Sequence, residues 1–184
     1  MPVSDELHQN LSSPDLEIRS ASACSLLKMH THEHDAKTVL QNLLNSKDVH
    51  NIRAGLQFLD RPMGIMKDEE LINFLHHSSH EIREESLRIA AKRDNPELID
   101  HIIGNLAYPK TAMQARLALG GFEEDLVLHN LDKLLFKEDS EFPIRMGIIR
   151  CLKQYKVENS LNILCLLYTS PSPRDLSTSR MPSS

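Results

Sequence analysis

Tryptophan is absent from the 184-residue sequence, and aromatic residues make up 4% of it. A core with so few rings must be filled by Leu, Ile, Ala and Met, which suits helices packed on helices better than a β-sandwich. The six glycines are scattered, and Gly120-Gly121 is the one adjacent pair, so the sequence carries no Gly-rich phosphate loop. A G-x-S-x-G elbow and an H-E-x-x-H helix are also missing. Cysteine is limited to Cys24, Cys151 and Cys165, with no C-x-x-C pair. Cys24 and Cys151 fall inside predicted helices, which fits small buried thiols in a reduced, cytoplasmic setting. No apolar run is long enough to span a bilayer, and the polar start, Pro2 to Asn10, is no secretory signal. Basic residues are outnumbered, and the net charge is −5. Non-specific nucleic-acid binding runs on an excess of Lys and Arg and is not expected. Nor is enzymatic chemistry, a cofactor or direct membrane insertion.

What the sequence does have is a recurring phrase: a short polar turn, then an aliphatic residue followed by Arg. It reads Ser12-Ser13-Pro14-Asp15 with Ile18-Arg19, then Ser46-Lys47-Asp48 with Ile52-Arg53. It returns as Ser78-Ser79-His80-Glu81-Ile82-Arg83 and as Ser140-Glu141-Phe142-Pro143-Ile144-Arg145. The arginines are 34, 30 and 62 residues apart, the last interval being two steps. Such a period belongs to helical repeats. The missing copy is expected near Thr111-Ala112 or Ala115-Arg116.

Between anchors the apolar residues recur with helical spacing. Helices are predicted over Asp5–Leu11, Leu16–Met29, Ala36–Asn45, Val49–Leu59, Asp68–His77, His80–Lys92 and Pro96–Leu106. Four more follow, over Lys110–Leu119, Glu123–Phe136, Pro143–Gln154 and from Val157 to Leu164. Asp15 and Asp48 are placed to cap helix starts, and Asp94-Asn95-Pro96 to open the helix after it. Arg61-Pro62-Met63-Gly64 breaks the chain. The inward stripes include Ile18, Ala21, Leu26 and Met29 in the second helix and Leu98, Ile99, Ile102, Ile103 and Leu106 in the seventh. Met63, Met66 and Met113 are expected to fill gaps in the core.

Residues 165–184 stand apart. Cys165-Leu166-Leu167-Tyr168-Thr169-Ser170-Pro171-Ser172-Pro173-Arg174-Asp175 resembles the translation of a transposase sequencing adapter. Ser179-Arg180-Met181-Pro182-Ser183-Ser184 resembles the primer region beyond it. The expectation is a native array over residues 1–164, truncated at its C-terminal end, with a non-native or disordered tail after it. Without that tail the chain loses two Arg and one Asp, and the net charge becomes −6.

The four anchor phrases resemble HEAT repeats, in particular the short bacterial HEAT-like or phycobilisome-lyase-like variety. The resemblance implies an all-α, right-handed α-solenoid of antiparallel helix pairs, about five of them. It implies a ladder in which turn Asp and helix Arg bond between neighbouring units, here Asp15, Arg19, Asp48, Arg53, Arg83 and Arg145. It also implies a non-enzymatic scaffold for a protein partner, as a monomer or part of a larger chain. A second likeness lies in Leu119-Gly120-Gly121-Phe122-Glu123, Phe142-Pro143-Ile144-Arg145 and Ile149-Arg150-Cys151-Leu152. These look like repeats inside bacterial nucleotide-transporter-like membrane proteins, which implies a place on the cytosolic side of such a protein. A lyase-like or chaperone-like accessory role is the third implication, and it needs a reactive, exposed Cys.

Two clusters are candidate sites. Glu84, Glu85, Arg88 and Lys92 share one helix, with Glu84 and Arg88 at i, i+4. With Arg150 and Lys153 they are candidates for an inner, partner-binding surface of a curved array. His30-Thr31-His32-Glu33-His34-Asp35 offers alternating imidazoles with carboxylates, a possible ligand set for Zn or Ni, against the simpler expectation of a solvated loop. His76, His77 and His80 flank a turn and are expected to be exposed caps.

Overall fold

The computed structural model describes residues 3–59, 65–93, 95–155, 163 and 165. The chain break at Arg61–Gly64, Met63, the cap at Asp94, the helix predicted from Val157 apart from the buried Ile163 and, apart from Cys165, the tail lie outside the described residues. Within them the protein is all-α. The helices are α1 (Val3–Asn10), α2 (Leu16–Lys28), α3 (Glu33–Leu44), α4 (Val49–Gln57) and α5 (Asp68–Leu75). They continue as α6 (His80–Ala90), α7 (Leu98–Gly104), α8 (Ala112–Leu119), α9 (Glu124–Leu135) and α10 (Phe142–Leu152). A 3-10 turn, Asn105–Ala107, extends α7.

The caps act as the sequence predicts. The Asp15 carboxylate accepts from the amides of Glu17 and Ile18 at 2.8 and 3.3 Å, and Asp48 accepts from that of His50 at 2.9 Å. Each satisfies amides that have no partner inside the helix. Glu70 does the equivalent for α5, accepting from the Lys67 amide at 3.1 Å.

Helices pack on near neighbours in sequence. α2 lies against α1, α3 and α4; α4 and α8 lie on either side of α6; α7 meets α5, α8 and α9; and α10 sits on α9 and the 3-10 turn. The even-numbered helices α2, α4, α6 and α8 therefore run as one row, with α5, α7 and α9 as a second. The core is the seam between the rows. Leu98, Ile99, Ile102 and Ile103 of α7 are fully buried there, each contributing about 2 kcal/mol of apolar burial.

Several boundaries and faces differ from those predicted. α3 starts at Glu33, not Ala36, because His32 takes a left-handed conformation (φ 50°) and turns the chain early. Pro96 and Glu97 form a turn before α7, held by the Asn95 side-chain oxygen accepting from the Glu97 amide at 3.0 Å. In α2 Ile18 and Met29 face solvent, and the buried face is Ser20, Ser22, Ala23, Cys24, Leu26 and Leu27. That helix meets its neighbours through small side chains, which the apolar pattern does not mark. Met113 is exposed rather than packed, while Met66 is buried.

Candidate protein-binding surface

The anchor arginines work within their own unit. Arg19 donates through Nε and Nη2 to the Ser13 carbonyl at 2.9 and 2.6 Å. Arg83 donates to the carbonyls of His77 and Ser78 at 2.6 and 3.0 Å. Arg145 reaches those of Lys137 and Glu138 at 2.9 and 3.0 Å. In each case the guanidinium satisfies carbonyls that the preceding loop leaves free. Asp15 and Asp48 are engaged in capping their own helices, so the expected Asp–Arg ladder between units is replaced by these locks. Arg53 is exposed on α4 beside Leu16, Glu17 and Gln57. Arg83 does reach the next unit, but through a ring: its guanidinium lies 4.5 Å from the centre of Tyr108.

The blurred fourth anchor is α8. Its fourth residue, Ala115, is 32 residues after Arg83 and 30 before Arg145. The buried Ala115 cannot lock a loop, and Thr111 does so instead. Its hydroxyl is fully buried and donates to the Asn105 carbonyl at 3.0 Å. The Asn105 amide in turn donates to the carbonyls of Leu75 and His101 at 3.0 and 3.1 Å.

The candidate inner surface divides. Arg88 pairs with Glu85 at 2.9 Å, not with Glu84. Its Nη2 also donates to the carbonyls of Leu56 and Gln57 at 2.8 and 2.6 Å. A cation there completes the C-terminal end of α4 and favours its negative dipole end. Arg88 thus fastens α6 to α4, a structural role. Glu84 is half-buried on α6, Lys92 is exposed in the turn that follows α6, not on the helix as expected, and Lys153 is exposed just after α10.

Arg150 belongs to a separate place. An open groove of about 510 Å³ runs between the start of α8, the 3-10 turn and α10. Leu106, Pro109, Phe142, Met146, Arg116 and Arg150 line it. Its floor depends on Gly147, where an added Cβ would lie 2.6 Å from the Leu106 carbonyl oxygen. Phe142 is 75% exposed at the rim, and Met113 and Leu117, one residue along from the lining residues Ala112 and Arg116, are 66% and 60% exposed. Neither guanidinium in the groove has a carboxylate partner among the described residues. Two guanidinium groups thus stand among mainly apolar side chains in a chain whose net charge is −5. Arg150 was legible from its helix position. Arg116 and Phe142 fall in the anchor phrases, but their meeting carries no sequence signal, because only the fold sets α8 beside α10.

The His30 loop does not gather its own histidines. The His30 imidazole is 84% exposed and meets Glu33 at 3.1 Å, and His34 is exposed. Glu33 is held below its ordinary pKa by hydrogen bonds from Lys37 and then His30. His32 instead stacks on His8 of α1, with ring centres 4.2 Å apart. His8 in turn meets Asp35 at 2.9 Å. His76 meets His101 at 2.9 Å, and burial followed by that neighbour lowers its pKa from 6.5. Cys24 and Cys151 are buried, and burial pushes the Cys151 thiol up to about 11. A thiol so placed is inert as a nucleophile, contrary to what the lyase-like role requires. No helix among the described residues is long and apolar enough to cross a membrane.

Comparison with known protein families finds no match, and none of the curated proteins matches. Among solved structures the chain is similar to two engineered proteins whose crystal structures come from the Northeast Structural Genomics Consortium. The first is 17% identical with a TM-score of 0.48, over 96% of this chain and 93% of the other. The second has the same identity and score, over 96% of this chain and 95% of its own.

Proposed function

We propose that the chain is a non-enzymatic scaffold, a right-handed solenoid of about five HEAT-like helix pairs that holds a protein partner in the α8–α10 groove. Its longer-range polar links support the stacked arrangement. Arg88 to Gln57, Asn105 to Leu75 and Lys133 to Asp100 join residues 31, 30 and 33 apart, close to one repeat period. The anchors recur at that same spacing, and the helices pack on near neighbours as such arrays do.

The observation that carries the binding function is the pair Arg116 and Arg150 beside exposed Phe142. The partner that fits is an extended segment in which carboxylates alternate with apolar side chains. Apolar groups cover Phe142 and Met146, and carboxylates meet the guanidinium forks.

A display selection of random peptides on the full chain tests this. Selected peptides are expected to be rich in Asp or Glu beside Leu, Phe or Tyr. Their fluorescence-anisotropy affinity is expected to fall at least tenfold in Arg116→Glu/Arg150→Glu and with added salt, but not in Arg53→Glu. Peptides without acidic bias, or affinity indifferent to the double reversal, overturn the proposal.

A further inference from the structure

Helix α1 is held to the rest of the chain with little apolar burial: none of its residues is fully buried. What ties it down on one side is polar. His8 lies on its last turn, against His32 and Asp35 at the start of α3. The ligand atoms of these three side chains all lie within 4.8 Å of one another.

From this juxtaposition we infer that His8, His32 and Asp35 form a binding site for a divalent transition metal of the Zn²⁺ class, one that clasps α1 onto α3. Two imidazoles and a carboxylate are the donors such an ion prefers. The donors come from α1, from α3 and from the residue that precedes α3, so the ion bridges elements that share little core. The fit needs little movement. Bonds of about 2.0–2.1 Å to a tetrahedral ion set neighbouring donors about 3.4 Å apart. The His8–Asp35 pair is already closer than that, at 2.9 Å. His32 and Asp35 are exposed and His8 is half-buried, so rotation about their side-chain bonds closes the remaining gap. The left-handed backbone at His30 and His32 is what folds the loop back and sets His32 over α1. A fourth position on the ion is open to water. The site leaves out His30 and His34, the histidines that share the loop in sequence.

The test is a titration of the full chain, in a Cys165→Ser background that removes the exposed thiol, with Zn²⁺ by calorimetry and Co²⁺ by visible absorbance. One ion per chain is expected, with affinity at least tenfold weaker in each of His8→Ala, His32→Ala and Asp35→Asn. His30→Ala and His34→Ala are expected to leave it unchanged. Binding is expected to weaken on acidification, since imidazole binds metal only when neutral. Hydrogen exchange of the unsubstituted chain supplies a second readout, with Zn²⁺ slowing exchange in α1 and leaving α9 unaffected. Absence of binding, affinity that survives His8→Ala, or affinity that depends on His30 and His34 overturns the proposal. So does Zn²⁺ binding that leaves α1 exchange unchanged.

Discussion

Adding one methyl group at Gly147 is expected to destabilise the protein, whereas the same change at Gly104 is expected to stabilise it. A Cβ at Gly147 would sit 2.6 Å from the Leu106 carbonyl oxygen and 2.7 Å from the Leu106 carbonyl carbon and Cβ. None of these atoms is the free end of a flexible side chain. Real contacts of this kind seldom fall below 3.4 Å, so α10 must retreat from the 3-10 turn by about 0.8 Å. Overpacking of that sort costs about 1–3 kcal/mol, and alanine's better helix propensity returns up to about 1 kcal/mol. With the full propensity gain subtracted the net loss is about 0–2 kcal/mol, which for a chain of this size lowers the melting midpoint by up to about 8 °C. At Gly104 nothing lies within 4 Å of the added atom, and the backbone is right-handed helical. There the propensity gain stands alone, at about 0.5–1 kcal/mol. Thermal melts followed by circular dichroism separate the two variants. A Gly147→Ala protein that melts above the parent would refute the close packing of α10 on the turn and, with it, the floor of the groove.

Arg88→Met is expected to cost about 2 kcal/mol in urea titrations, since it leaves two α4 carbonyls and Glu85 without their charged donor. Thr111→Val, nearly isosteric, is expected to cost about 1–2 kcal/mol by leaving the buried Asn105 carbonyl without the hydroxyl that bonds it. The folded state disfavours a charged His76, so its contribution to stability is present above pH 6.5 and is lost as the pH falls below it. His76→Gln is expected to flatten that fall in melts recorded across acidic buffers. The Cys151 thiol is neutral in the folded chain up to about 11 but only to 9.0 when free, so stability drops as the pH rises between those values. Cys151→Ala is expected to reduce that drop.

The helix order was legible from the stripes of Leu and Ile, helped at α2 and α4 by the capping Asp15 and Asp48. The stripe is clearest around α7, where all five predicted core residues are buried. α2 was misread because it packs through Ser20, Ser22, Ala23 and Cys24, whose burial depends on a neighbour's close approach rather than on hydropathy. Three of the four anchor arginines, Arg19, Arg83 and Arg145, bond loop carbonyls, and a sequence does not show which backbone groups a loop leaves free. Of the residues of the proposed binding groove, Arg150 was already a candidate from its helix position. Arg116 and Phe142 were not, because they meet across the junction of α8 and α10. The His cluster shows the same limit, since His8 joins His32 only after α1 and α3 both pack on α2.

The most direct test of the central claim is amide hydrogen exchange of the full chain with and without a selected acidic peptide. Occupation of the groove predicts slowed exchange in the 3-10 turn and the first turns of α8 and α10, with α3 and α5 unchanged. Protection centred on α3 or α5, with the α8–α10 junction unaltered, would contradict it.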